Sequence, residues 1–270
     1  GMGYRPVANT DVFCFGPPGW PEKSYEEFMP QGLMAPSRIL SGVHKGIEDG
    51  GNKSGIPTVN GAFSFDPDYS GKPLVFCGTV GVAPKRLPSG ISSHDKQIRP
   101  CDKIVVVGGA VGADGIHGAT FSSLELNESS PTSAVQIGDP LMQRRVTDFL
   151  EEAKRMGLYT SLTDNGAGGL SSSIGEMAYQ PQREICGASV ELAECPLKYP
   201  GLKPYEIFIS ESQERMTLSV DPEKLETLRD LAKRRNVPFA VLGEFNQSGF
   251  LDIHYKEKKV GHINLKMLHE

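Results

Sequence analysis

Lys103-Ile104-Val105-Val106-Val107 runs straight into Gly108-Gly109-Ala110-Val111-Gly112-Ala113-Asp114-Gly115-Ile116-His117-Gly118-Ala119-Thr120. The apolar, β-branched run is the right length for a buried strand, and the glycines that follow end it in a loop. A helix is marked next. Asp139 is a favoured N-cap, Pro140 a favoured first helical residue, and Met142, Val146, Phe149, Leu150 and Ala153 fall on one apolar stripe before Gly157. Strand, glycine loop and helix in succession define an α/β (α+β) fold class for this part of the chain.

The alternation continues toward the C-terminus. Leu158 to Thr163 reads as a strand ending at Asp164, Ser171 to Ala178 as a short helix, and Glu206 to Ser210 and Arg215 to Val220 as strands flanking Glu211-Ser212-Gln213-Glu214. Asp221-Pro222 starts a helix carrying Leu225, Leu228, Leu231 and Ala232, which stops at Asn236 before Pro238. Phe239 to Phe245 is a further strand, and Phe250 to Leu265 a hairpin tipped by Lys256 to Lys259. Residues 99–270 are therefore expected to form one α/β sandwich domain.

Toward the N-terminus the punctuation is denser. A strand from Val7 to Phe15 precedes a Pro- and Gly-rich loop from Gly16 to Pro36; a helix N-capped by Ser37 then carries Ile39, Leu40, Val43 and Ile47. Strands from Thr58 to Phe65 and from Leu74 to Val82 are separated by Asp66-Pro67-Asp68 and Ser70-Gly71. This is half of a sheet, so residues 1–98 are expected to be a partial N-terminal domain.

Composition narrows the function. A 270-residue chain with 38% hydrophobic and 23% charged residues is globular, and a formal net charge of −5 with interspersed signs offers no basic field for a nucleic acid. The apolar runs are strand length, so no membrane span is expected. Gly1-Met2-Gly3 leads into Tyr4-Arg5-Pro6 without a secretory core, and five cysteines without a C-x-x-C pair read as reduced, mostly buried thiols. A cytoplasmic protein is expected.

Three segments can carry chemistry. The Gly108 to Thr120 loop could ring an anion with exposed backbone N–H groups, or be a tight turn needing positive φ; it matches neither the dinucleotide nor the Walker pattern. Asp164-Asn165-Gly166-Ala167-Gly168-Gly169 adds a carboxylate to a glycine loop that opens a helix, an arrangement that suits Mg²⁺ beside phosphate and equally suits an ordinary turn. Glu211-Ser212-Gln213 offers a carboxylate, a hydroxyl and an amide for a polar substrate, as a hairpin tip would; Gln136, ahead of Gly138-Asp139-Pro140, is equally open. His117 reads as a structural histidine or a catalytic one.

Taken in order, Gly3-Tyr4-Arg5-Pro6-Val7-Ala8, GGNKSGIP from Gly50, DGIHGATFSS from Asp114, VQIGDP from Val135, DNGAGGLSSSIGEMA from Asp164 and PYEIFISESQERM from Pro204 resemble phosphoribosylformylglycinamidine synthases of the subunit II type, in the aminoimidazole ribonucleotide synthetase superfamily. The resemblance implies a barrel-forming N-terminal domain, here partial, and a C-terminal α/β domain. It also implies an ATP-dependent ligase of purine biosynthesis. ATP activates the amide oxygen of formylglycinamide ribonucleotide, and ammonia from a glutaminase subunit, in a complex that also holds a small accessory subunit, displaces phosphate.

By motif, Gln136, Glu211, Ser212 and Gln213 would contact the ribonucleotide, and Asp164 would ligate Mg²⁺. The family's catalytic histidine, ATP-binding tyrosine and lysine, and a magnesium-binding glutamate precede the G-x-R-P segment, and a second domain pair follows. Neither lies between Gly1 and Glu270, so this chain is expected to be a fragment with no catalytic residue of its own, inactive by itself. The half-built sheet is expected to self-associate. A non-catalytic nucleotide-binding or scaffold member of the superfamily is the alternative.

Overall fold

A computed structural model describes residues 4–19, 34–86, 92–93, 95, 97–118, 121, 135–180 and 185–269. They form two compact units, Tyr4–Ala83 and the described residues from Pro84 onward.

In the first unit, β1 (Arg5–Phe15), β2 (Thr58–Phe65) and β3 (Leu74–Val82) make a three-stranded sheet in the order β2-β1-β3. The centre strand β1 runs parallel to β2 and antiparallel to β3. Helix α1 (Pro36–Ser54) makes the crossover that a parallel pair requires. Its cap differs from the expectation: Ala35 is the N-cap without a side-chain bond and Pro36 is the first helical residue, whereas Ser37 lies inside the helix and its carbonyl accepts from Ser41 Oγ at 2.9 Å. Proline fixes the helical φ there, which locates the start better than the serine does. Most of the loop expected from Gly16 to Pro36 lies outside the described residues. The sheet is open, with β2 and β3 as its edges. Phe13, Cys14 and Phe15 are buried, but Val59, Phe63 and Phe65 of β2 and Leu74, Phe76, Val80 and Val82 of β3 are exposed.

The second unit is built on seven strands in the order β12-β11-β8-β10-β4-β9-β5. In chain order these are β4 (Lys103–Gly108), β5 (Ser161–Asp164), β8 (Ala188–Glu191), β9 (Arg215–Val220), β10 (Phe239–Phe245), β11 (Phe250–Tyr255) and β12 (Lys258–Asn264); β6 (Tyr179–Gln180) and β7 (Ile185–Cys186) form a separate small ladder. Successive residues of β4 point to opposite faces. Ile104 and Val106 pack with Leu170, Ile174, Ile207 and Leu242, while Val105 and Val107 pack with Val146, Phe149, Leu228 and Leu231. The first cluster includes α3 (Gly169–Ala178) and α4 (Pro204–Ile209), and the second includes α2 (Pro140–Arg155) and α5 (Leu225–Arg235). The result is helices on both faces of a mixed sheet, with β4 buried on both sides as its apolar run requires.

Asp139 caps α2 as expected, Oδ1 accepting from the N–H groups of Leu141 at 3.0 Å and Met142 at 3.1 Å. The hairpin of β11 and β12 turns through Lys256 (φ 51°) and Glu257 (φ 65°), two left-handed residues in succession, as a tight two-residue hairpin demands.

One expected strand is a helix, and one core strand had no expected counterpart. Glu206 to Ser210 is not a strand but the body of α4: Pro204 is its first residue, and the Glu206 carboxylate accepts from Lys203 N at 2.7 Å, a cap that ties the first turn closed. The core strand β8 carried no sequence signal because it has four residues, of which only Ala188 and Val190 are fully buried. Of the five thiols, the four whose side chains are described divide: Cys14 and Cys195 are buried, Cys77 and Cys101 exposed, and all four are free. Among the described residues no helix is long and apolar enough to cross a membrane.

Candidate ribonucleotide site

Four segments of the second unit meet where β4, β5 and β9 adjoin. Register brings them together: Gly108 at the end of β4 pairs with Arg215 at the start of β9, and Asp164 at the end of β5 pairs with Met216. The glycine loop after β4, the loop after β5 and the 211–214 turn before β9 therefore converge at one sheet end. Gln136, in the stretch before α2, completes the cluster.

Glu211 is its centre. The residue is 4% exposed; Oε2 accepts from Gln136 Nε2 at 2.8 Å and Oε1 from Gly168 N at 3.1 Å. Gly168 is the N-cap of α3, so a carboxylate sits where the helix dipole favours negative charge. Gln213 Nε2 donates to Gln136 Oε1, which makes a directional chain from Gln213 through Gln136 to Glu211. Ser212 is turned the other way. Its hydroxyl, 1% exposed as a residue, accepts from Gly112 N at 3.0 Å and lies 3.0 Å from Ser210 Oγ. It anchors the glycine loop and leaves the open side of the turn to its neighbours.

Two glycines make this packing possible. A Cβ on Gly115, whose φ is +74°, would lie 2.7 Å from Gln136 Cγ and 2.9 Å from Glu211 Cβ. A Cβ on Gly169 would lie 2.0 Å from the Ser210 carbonyl oxygen. The DGIHG loop is thus a close-fitting support for Gln136 and Glu211. His117 within it is exposed and left-handed, with φ 61°.

Electrostatics pin the loop at its other end. Asp114 Oδ2 pairs with Lys198 Nζ at 2.9 Å. Burial alone would raise its carboxyl pKa, but hydrogen bonds from Lys198 and Ser212 outweigh it and the net shift is downward. Glu214, next in the turn, is left-handed with φ 56°, and burial pushes its carboxyl upward.

Asp164 lies at the rim, exposed, with Oδ1 accepting from Gly166 N at 3.2 Å. Behind it, Asn165 Oδ1 accepts from Ser173 Oγ at 2.5 Å and Thr217 Oγ1 at 2.9 Å, which staples the loop to α3 and β9. No cluster of three His, Cys, Asp or Glu side chains with metal-binding geometry occurs among the described residues. One carboxylate fits Mg²⁺ only where phosphate oxygens and water complete the shell, the usual condition for that ion.

Gln136, Glu211 and Gln213 are therefore joined by hydrogen bonds, Ser212 braces them from beneath, and Asp164 stands apart on the adjoining loop. Sequence reasoning missed Gly168 as a partner of Glu211 and Asp114 with Lys198 as the loop's anchor. Gly168 was legible as a helix opener, whereas Lys198 lies 84 residues from Asp114 and left no local sign.

Residues 99–256 match the AIR synthase related protein C-terminal domain, and residues 1–83 match the N-terminal domain of the same family. The chain belongs to the AIR synthase related protein family. Among curated relatives, the phosphoribosylformylglycinamidine synthase subunit PurL of Thermoplasma acidophilum is 36% identical over 269 residues, covering 99% of this chain and 34% of that protein. PurL of Pyrococcus abyssi is also 36% identical, over 99% of this chain and 36% of its own length. The chain thus spans about a third of the length of the AIR synthase related relatives it matches. Of solved structures, Thermotoga maritima PurL complexed with FGAR superposes with a TM-score of 0.77 at 30% identity, covering 99% of this chain and 40% of that one.

Proposed function

We propose that this chain supplies a ribonucleotide-binding half-site to a phosphoribosylformylglycinamidine synthase, the ligase that converts formylglycinamide ribonucleotide to the amidine with ATP and ammonia. The observation that carries the proposal is the Gln213–Gln136–Glu211 chain, with Glu211 seated on the N-cap of α3. Two amides and a carboxylate present alternating donors and acceptors, which suits the hydroxyls and amide of a ribonucleotide. The PurL relatives, one of them solved with FGAR, support the same substrate.

In this reading Gln136, Glu211 and Gln213 orient the substrate, Ser212 fixes the turn that carries them, and Asp164 contributes one carboxylate to Mg²⁺. That ion would neutralise the phosphoryl group transferred from ATP to the amide oxygen. A glutaminase and a small accessory subunit would complete the assembly, and the open N-terminal sheet would pair with a second sheet. The compartment is the cytoplasm.

Titration calorimetry with formylglycinamide ribonucleotide and separately with Mg-ATP tests this. Heat on adding the ribonucleotide, lost in Gln136→Ala, is expected. A silent ribonucleotide titration beside a positive Mg-ATP titration would replace the proposal with a nucleotide-binding or scaffold role. For Asp164, an Asn variant with unchanged Mg²⁺ affinity removes the ligand assignment.

A further inference from the structure

Arg215 opens β9 directly after the turn and is 2% exposed. Its Nε donates to the Ser212 carbonyl oxygen at 2.8 Å and its Nη2 to the Ser210 carbonyl oxygen. Those two carbonyls stand on either side of Glu211. Nη1 is buried and finds no hydrogen-bond partner among the described residues. Of the groups that attract the guanidinium, Cys195 and Asp114, only Asp114 is charged at neutral pH, because burial pushes the Cys195 thiol up to about 12. Burial also draws Arg215 down to about 10, which leaves it a cation at neutral pH.

Arg215 has no ion pair among the described residues; a buried guanidinium in that position is costly, and an apolar side chain of similar volume would fill the space at less cost. What an apolar residue cannot do is bridge two carbonyls with a rigid planar fork. The Ser210 carbonyl is confined further, since Gly169 leaves no room for a Cβ against it.

We propose that Arg215 is a positioning residue of the ribonucleotide site: by holding the carbonyls of Ser210 and Ser212, it fixes the direction in which Glu211 points toward Gln136 and Gly168. The inference rests on the substrate reading above for its binding consequence, but not for its geometric one. Lysine retains the charge and loses the fork, so Arg215→Lys separates the two contributions.

The test uses the 270-residue chain with Arg215→Lys and Arg215→Gln. In the ligand-free protein, the side-chain amide resonances of Gln136 and Gln213 are expected to shift or broaden in Arg215→Lys while the dispersed backbone spectrum persists. Ribonucleotide affinity is expected to fall about tenfold or more, the scale of loss that small misplacements of site groups produce. Unchanged Gln136 and Gln213 resonances in Arg215→Lys would overturn the proposal. So would failure of both variants to fold, which would make the guanidinium a packing element only. A wild-type chain that ignores the ribonucleotide would instead sink the substrate reading, and the amide resonances would still decide the role of Arg215.

Discussion

Gln136 Nε2 donates to Glu211 Oε2 at 2.8 Å across 75 residues of chain, and the other oxygen of the same carboxylate accepts from Gly168 N. One side chain therefore joins the approach to α2 with the start of α3. Glu211→Gln would turn one of those acceptors into a donor and leave either Gln136 or Gly168 facing an N–H group. A buried donor without an acceptor costs about 1–3 kcal/mol, so urea unfolding should report a loss of that size. Stability equal to that of the wild type would show that the carboxylate is not needed there.

Gly115 answers to two constraints together, a φ of +74° and side-chain atoms of Gln136 and Glu211 within 3 Å of where a Cβ would stand. Gly115→Ala should lose about 1–3 kcal/mol from backbone strain and crowding. Ribonucleotide affinity should fall with it, because relief requires Gln136 to move. An alanine variant with both quantities intact would mean that the loop yields freely.

The Asp114–Lys198 pair gives a pH dependence with a definite sign. The Asp114 pKa is held down in the folded state, so the native state binds fewer protons than the unfolded chain in this range. Its contribution is present above the ordinary aspartate range near pH 4 and is lost as pH falls through the lowered folded value. Lys198→Met should therefore be less stable than the wild type at pH 7, and the gap should narrow below about pH 4. A gap that stays constant down to pH 2.5 would remove the pair from the account.

The open sheet predicts association. Val59, Phe63 and Phe65 on β2 and Leu74, Phe76, Val80 and Val82 on β3 are exposed, and neither edge strand has a partner on its outer side among the described residues. Small-angle scattering should give a mass above 29.3 kDa that falls toward it in Phe63→Lys and Phe76→Lys variants. A monomeric wild type at high concentration would contradict this.

How far the sequence led depended on whether the signal was local. Helix α2 announced itself through Asp139-Pro140 and its stripe, β4 through its apolar run, and the hairpin through its polar tip. The α4 segment misled because Ile207, Phe208 and Ile209 have strand composition, and six residues are too few for a 3.6-residue period to appear. Strand β8 exists because the ladders of β10 and β11 hold it, not because Ala188–Glu191 has any strong preference of its own. Motif singled out Gln136, Glu211 and Gln213, but not that hydrogen bonds join them nor the direction in which each points. The inward turn of Ser212 depends on Gly112, 100 residues away, and no spacing rule reaches that far.

The place of β9 between β4 and β5 has a consequence for how the domain can change and how it matures. The 211–214 turn is continuous with β9, so a slip of one residue would carry Glu211 about 3.3 Å along both neighbours and reverse its facing. Insertions within Arg215–Val220 should abolish recognition even in chains that still collapse, while lengthening at the Lys256–Glu257 tip should be silent. If the cluster binds ligand as proposed, affinity should return during refolding only after β5 has paired with β9, because Gly168 beyond β5 holds Glu211. The recovery of binding is thereby a clock for the closing of that edge.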